Sequence, residues 1–174
     1  MFRRIILLAV AALVAAQAAG AAGGRPKSGT FIMRISVPAI GVNTLVQEGD
    51  PKANEDGYYP IHYRSTDWPG EEETVAISAH HFTHALPGAA GGPFLRINEL
   101  KKGALITLQM LPKFGGGTEV YRVSGQKEFY CGSDARMCPS AQKGFAKLQQ
   151  DKLILTTCIG DGHERRFLYA FHVR

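Results

Sequence analysis

Apolar residues follow two different patterns along this chain. Residues 5–22 run almost continuously apolar from Ile5 to Ala22, interrupted only by Gln17 and Gly20. Past Gly24 the apolar positions break into short runs separated by Gly and Pro. Thr30–Val37, Val42–Val46, Thr74–Ala79, Ala104–Met110, Thr118–Ser124, Lys152–Cys158 and Phe167–Val173 are rich in β-branched and aromatic residues, with stretches of alternation, and predict strands. Phe94–Lys101 is apolar at 94, 95, 97 and 100, which suits a short helix, and Ser140–Gln150 suits a second. Residues 49–73 carry Gly, Pro, Asp, Asn and Glu at loop density, with Tyr58, Tyr59 and Trp68 as packing aromatics. Many short strands with frequent turns predict a mainly β fold, a sandwich or a barrel.

The N-terminal stretch concerns address. Arg3 and Arg4 precede the apolar run, and small residues follow it to Gly24, the arrangement of an export signal. Ala16-Gln17-Ala18 fits an A-x-A cleavage site, yet a run of about 20 such residues can also span a bilayer. A cleaved signal and a single-pass membrane anchor both put the rest of the chain outside the cytoplasm, where disulfides are permitted. The expected organisation is a signal or anchor over 1–24, a linker over 25–29 and one domain over 30–174.

Composition narrows the classes. The chain has 174 residues, 45% apolar and 20% charged, with three cysteines. These values exclude a disordered chain and a disulfide-dense miniprotein. The formal charge of +5 includes Arg3 and Arg4, leaving +3 for residues 25–174, with no basic run suited to a phosphate backbone.

Three residues at strand ends carry candidate chemistry. Cys158 closes Lys152–Cys158, where alternation puts Leu153, Leu155 and Thr157 on a core face and Cys158 on the other. His80 follows Thr74–Ala79 on the face of Ser78, away from Val75, Ile77 and Ala79. Arg166 opens the last strand. Phe167, Tyr169, Phe171 and Val173 read as its core face, which sets Arg166 on the non-core face with Cys158 and gives Arg165 the opposite parity. Each has a bland reading as well: a small buried cysteine, a surface histidine and a solvated arginine. His80, His81, His84 and His163 also raise a non-catalytic metal- or ligand-binding domain, although the nearest carboxylates, Glu71 to Glu73, lie at the far end of the strand. Joined in one site, a thiolate could attack a carbonyl, an imidazole could move the protons, and a guanidinium could hold the oxyanion.

Four stretches in chain order resemble the sortase family of bacterial cysteine transpeptidases. Ile154-Leu155-Thr156-Thr157-Cys158, with Arg166 eight residues on, is similar to the family's T-L-x-T-C and its following Arg. Thr74–His80 resembles the strand that ends in the catalytic His. Gly92–Gly103 resembles the "PF..L..L..GD" stretch, and Ile35–Val42 resembles "I.IP.IGV". Ile154 replaces the usual Thr and Ala79 the usual Gly; neither is a reacting group. The resemblance spans about residues 30–173. It implies a closed β-barrel of about eight strands with one or two short helices, catalysis by His80, Cys158 and Arg166, and neither metal nor cofactor. It also implies cleavage of an LPxTG-like sorting signal on a surface or pilin protein, then transfer to an amine of a peptidoglycan precursor or a pilin Lys. An L,D-transpeptidase-like enzyme fits less well, because its His and Cys share one short motif, whereas His80 and Cys158 are far apart. With Cys158 required as a thiolate, Cys131 and Cys138 are left for a disulfide.

Overall fold

The computed structural model describes residues 24–49, 57–81, 91–131, 151–159 and 163–174. Its strands are β1 (Phe31–Val37), β2 (Val42–Gly49), β3 (Ile61–Tyr63), β4 (Thr74–Ser78), β5 (Leu105–Met110), β6 (Thr118–Tyr130), β7 (Lys152–Ile159) and β8 (Glu164–His172). They close into a barrel in the order β1-β2-β3-β4-β7-β8-β6-β5. The fold is thus the mainly β, eight-stranded closed barrel expected from the sequence.

Local chemistry sets several of these boundaries. Pro38 cannot donate to a ladder, so β1 stops there and a 3-10 turn, Pro38–Ile40, follows. Gly41 closes that turn at φ +72°, a backbone conformation that favours glycine, and β2 returns antiparallel with Val37 opposite Val42. Most neighbours are antiparallel, but β2–β3 and β4–β7 are parallel.

The parallel β4–β7 pair is buried on both faces, as parallel strands generally are. Val75, Ile77, Leu153 and Leu155 point into the main core with Leu168 and Ala170. On the opposite face of the same wall, Ile61, Tyr63, Ala76, Ile154 and Phe167 form a second cluster, joined by Phe129, Cys131 and Tyr169.

The structure departs from the sequence reading in four places. The segment Phe94–Lys101 holds only a 3-10 turn, Ile97–Glu99, because its buried residues Phe94, Ile97 and Leu100 recur every third position, the 3-10 period. β6 continues past Ser124 by absorbing an irregularity between Val123 and Gly125, and Ser124 Oγ donates to Tyr169 O at 3.0 Å. β8 begins earlier, at Glu164. β3 falls inside the stretch read as loop, since three residues are too short to show a period. The helix expected over Ser140–Gln150 lies outside the described residues.

A buried polar group sits under the β2–β3 pair. His62 is hydrogen-bonded through Nδ1 with Glu48 Oε2 at 2.7 Å and through Nε2 with Asp67 O at 2.8 Å, and Trp68 Nε1 donates to the same Glu48 oxygen at 3.3 Å. Glu48 and His62 are both fully buried. Arg25 lies 4.9 Å above the Trp68 ring and 3.8 Å from Glu48 Oε1, so residues 25–29 contribute a contact to the barrel. Among the described residues no helix is long and apolar enough to cross a membrane, and residues 1–23 lie outside them.

Candidate active site

Cys158 sits one residue before the end of β7, half-buried and with a free thiol. In the β7–β8 ladder its partner is Arg165; Arg166 stands opposite Thr157. Directly opposed residues project to the same side of a sheet. Arg165 therefore shares the face of Cys158, with Phe129 of β6 on its other flank. This corrects the assignment of Arg166 to that face. Alternation alone makes Phe167 and Tyr169 the core face of β8. They belong to the second cluster, and Leu168 and Ala170 point inward.

Arg166 turns to the other side of the strand. Two of its guanidinium nitrogens bond Glu128 Oε1, one of them at 3.1 Å. It opens onto a groove of about 570 Å³ between Asn98–Lys102 and β6, lined also by Lys101, Lys102, Gln126 and Lys127.

His80 and His81 divide in the same way. Ala79 continues the alternation of β4: its amide donates to Thr156 O at 3.1 Å and its side chain joins the main core. His80 therefore follows the parity of Ala76 and Ser78, the face of Thr156 and Cys158. His81 takes the opposite parity. Partial burial and the charge of Arg166 hold its pKa below the ordinary imidazole value, against a backbone hydrogen bond with Phe94.

The segment Gly91–Leu100 braces this histidine pair. Gly92 N donates to His81 O at 2.7 Å and Phe94 N to His80 O at 3.2 Å. A Cβ on Gly92 would lie 2.1 Å from His80 O, so glycine is what lets the two backbones approach. Phe94, Ile97 and Leu100 then anchor the segment in the main core.

Tyr63 completes the face and was not singled out from the sequence. Its side chain is buried in the second cluster. Burial raises its pKa above the ordinary tyrosine value. The hydrogen bond with Ser78 and the nearby Arg165 charge work against that rise, and Cys158 adds to it. One buried hydroxyl thus senses both Cys158 and Arg165. The only sequence signal for it is an aromatic in a three-residue apolar run within a loop-rich stretch.

Cys131 is disulfide-bonded, and the partner expected for it, Cys138, lies outside the described residues. His84 lies outside them as well. Among the described residues no group of three His, Cys, Asp or Glu side chains is arranged to hold a metal ion.

A family model described as Sortase domain matches residues 35–172. Among solved structures, the barrel is similar to a Clostridium perfringens Sortase D5 transpeptidase (21% identity, TM-score 0.63, covering 86% of this chain and 83% of that one). It is similar to the SrtA sortase from Actinomyces oris (22% identity, TM-score 0.64, covering 86% of this chain and 83% of that one). A third likeness is to Sortase C2 of the Group B Streptococcus Pilus Island 1 (20% identity, TM-score 0.64, covering 85% of this chain and 77% of that one). At these identities the structures establish the fold, and the family model establishes the family. No curated protein matches the chain.

Proposed function

The chain belongs to the sortase family of cysteine transpeptidases, and from that premise we propose that Cys158, His80 and Arg165 carry out its acyl transfer. The observation that carries the reading is the β7–β8 register, which sets the free thiol of Cys158 opposite Arg165 on the face that His80 follows from β4.

Each residue has one role. The Cys158 thiolate attacks the scissile carbonyl of a sorting signal, and the charge moves to the carbonyl oxygen. Arg165 stabilises that oxyanion, for which a permanently charged, multi-donor guanidinium is suited. His80 as imidazolium gives its proton to the departing amine, leaving a thioester on Cys158. An incoming amine attacks the thioester, His80 takes its proton, and the new amide leaves as the Cys158 thiolate and the imidazolium are restored. Arg166, assigned to this role from the sequence, is tied to Glu128 on the other side of the strand and is the second candidate.

The substrate is an LPxTG-like sorting signal cleaved after its Thr, and the acceptor an amine of a peptidoglycan precursor or a pilin Lys. Both follow from the family. The cell-surface setting of the family agrees with an exported domain, held by residues 1–24 as a single-pass anchor or released by cleavage. The test is a library of LPxTG-like peptides incubated with the protein and read by mass spectrometry. Cleavage with a thioester trapped on Cys158, lost in Cys158→Ala, is the expected result. No cleavage across the library would overturn the substrate assignment.

A further inference from the structure

We propose that the outer edge of β6 is a second binding site, taking an extended acidic segment of a partner protein as an added strand between β6 and Asn98–Lys102. The site is separate from the peptide cleaved at Cys158. β8 lies between β6 and β7, which sets the edge about 10 Å from the strand of the cysteine.

The ladder register fixes which groups the edge offers. β6 pairs with β8 as far as Tyr130–Glu164, but with β5 only as far as Arg122–Leu105. Val123 still bonds through its backbone to Gly103 and Ala104, and beyond it no backbone bond reaches that edge among the described residues. Cys131 N donates to His163 O at 2.8 Å, which makes this a hydrogen-bonded pair. Bonded and non-bonded pairs alternate along an antiparallel ladder. Lys127 and Phe129 therefore bond to β8, whereas Gln126, Glu128 and Tyr130 turn their N–H and C=O groups outward. An added strand pairs with just such a row of main-chain groups.

The groove of about 570 Å³ follows this edge. Lys127 and Glu128 project to opposite faces of β6, yet both line it, so it runs along the edge of the strand and not over a face. Gln126 ties on the far wall, its Nε2 donating to Leu100 O at 2.7 Å. Gly125 to Glu128 give the groove about 13 Å of strand, room for an extended segment of similar length. Tyr130, just beyond, is 71% exposed.

Charge selects the occupant. Lys101, Lys102, Lys127 and Arg166 line the groove against one acid, Glu128. This surplus of three equals that of the whole stretch 25–174, so the remaining charges of the domain sum to zero and its positive excess is gathered here. Glu128 is already bound to Arg166, and the three lysines are exposed. Ammonium groups beside an open edge attract a strand bearing Asp and Glu and repel a basic one. Lysines beside an edge also serve to blunt it against self-association, and direct binding separates the two roles.

The probe is a fluorescein-labelled octapeptide of alternating Glu and Thr, titrated with the full-length protein and read by anisotropy. Expected is binding that weakens about tenfold between roughly 0.05 M and 0.3 M salt. Lys101→Glu/Lys102→Glu should raise Kd about tenfold, and Lys127→Glu should act in the same direction. Amide exchange at Glu128 and Tyr130 should slow on saturation, while Lys127 and Phe129, already bonded to β8, change little. No binding by the parent would leave the lysines as a blunted edge and overturn the proposal. An unchanged Kd in both lysine variants would do the same, as would tight binding that leaves exchange at Glu128 and Tyr130 unaltered. Polyphosphate binding as tightly as the peptide would show a plain counterion surface and also defeat it. The readout is binding and not cleavage, so it stands apart from the Cys158 reading. An unlabelled LPxTG-like peptide should not displace the probe; displacement would put the probe at the catalytic face and end the edge assignment.

Discussion

Cys158 stands directly opposite Arg165 across the β7–β8 ladder, while Arg166, its chain neighbour, stands opposite the buried Thr157 and is bound to Glu128. Two adjacent arginines are therefore sorted to opposite sides of one strand. Arg165→Ala should lower kcat by roughly a hundredfold or more, the usual cost of one oxyanion donor. Arg165→Lys should recover little, because a point charge does not reproduce the planar fork. Arg166→Ala should be mild on acylation. Single-turnover acylation of Cys158 in the three variants decides it, and the reverse order would return the role to Arg166.

The two histidines should separate in the same way. His80→Ala should remove most of kcat and His81→Ala only a part. Stability gives an independent readout of His81. Its folded pKa is depressed below the unfolded value near 6.5. The neutral form is therefore favoured by folding, and its contribution is fully present above the unfolded pKa. It is lost as pH falls from about 6.5 through the folded value. The drop in thermal midpoint between about pH 7.5 and pH 5.5 should be smaller in His81→Gln than in the parent protein. An equal drop in both would show that His81 adds nothing to the acid sensitivity.

Gly92→Ala should impair catalysis from a distance. The new methyl would collide with the His80 carbonyl, and the flanking backbone bonds to His80 and His81 would have to shift. Displacing a catalytic group by about 1 Å can cost on the order of a hundredfold. The expected pattern is a lowered kcat with the main core retained, measured as turnover beside near-ultraviolet circular dichroism.

Glu48→Ala should be among the more destabilising substitutions in the barrel. It leaves His62 and Trp68 Nε1 without their acceptor in a fully buried setting. Leaving a buried hydrogen-bonding group without its partner costs about 1–3 kcal/mol, a fall of roughly 2–12 °C for a domain of this size. The exposed Arg96–Glu99 pair is the control: at 2.6 Å it is short, but half of each side chain is in solvent, and Glu99→Ala should leave the thermal midpoint unchanged. Calorimetry on both variants checks the contrast.

Thiol counting addresses the three cysteines. One reactive thiol at Cys158 and a bridge joining Cys131 to Cys138 are expected under non-reducing conditions. Closing this eight-residue loop contributes roughly 2.5 kcal/mol in the chain-entropy estimate. Peptide mapping that finds Cys158 in a disulfide in active protein would overturn the pairing.

Sequence by itself determined seven of the eight strands, the mainly β class and the inward faces of β4 and β7. Val75, Ile77 and Ala79 alternate against the smaller or more polar Thr74, Ala76 and Ser78, and Leu153 and Leu155 fall two apart as a strand face requires. The same alternation carried Cys158 to the opposite side, where the β7–β8 register sets it, and it points His80 the same way. Tertiary structure alone decided which arginine joins them. β8 is apolar on both sides, with Phe167 and Tyr169 facing one cluster and Leu168 and Ala170 the other, so its period cannot say which side is inward. Only the pairing with β7 resolves it, because a one-residue change of register exchanges the two faces. Tyr63 was hidden for a related reason: β3 has three residues, too few to show a period, and its cluster mates Ala76, Ile154 and Phe167 come from β4, β7 and β8, which only the sheet order brings together.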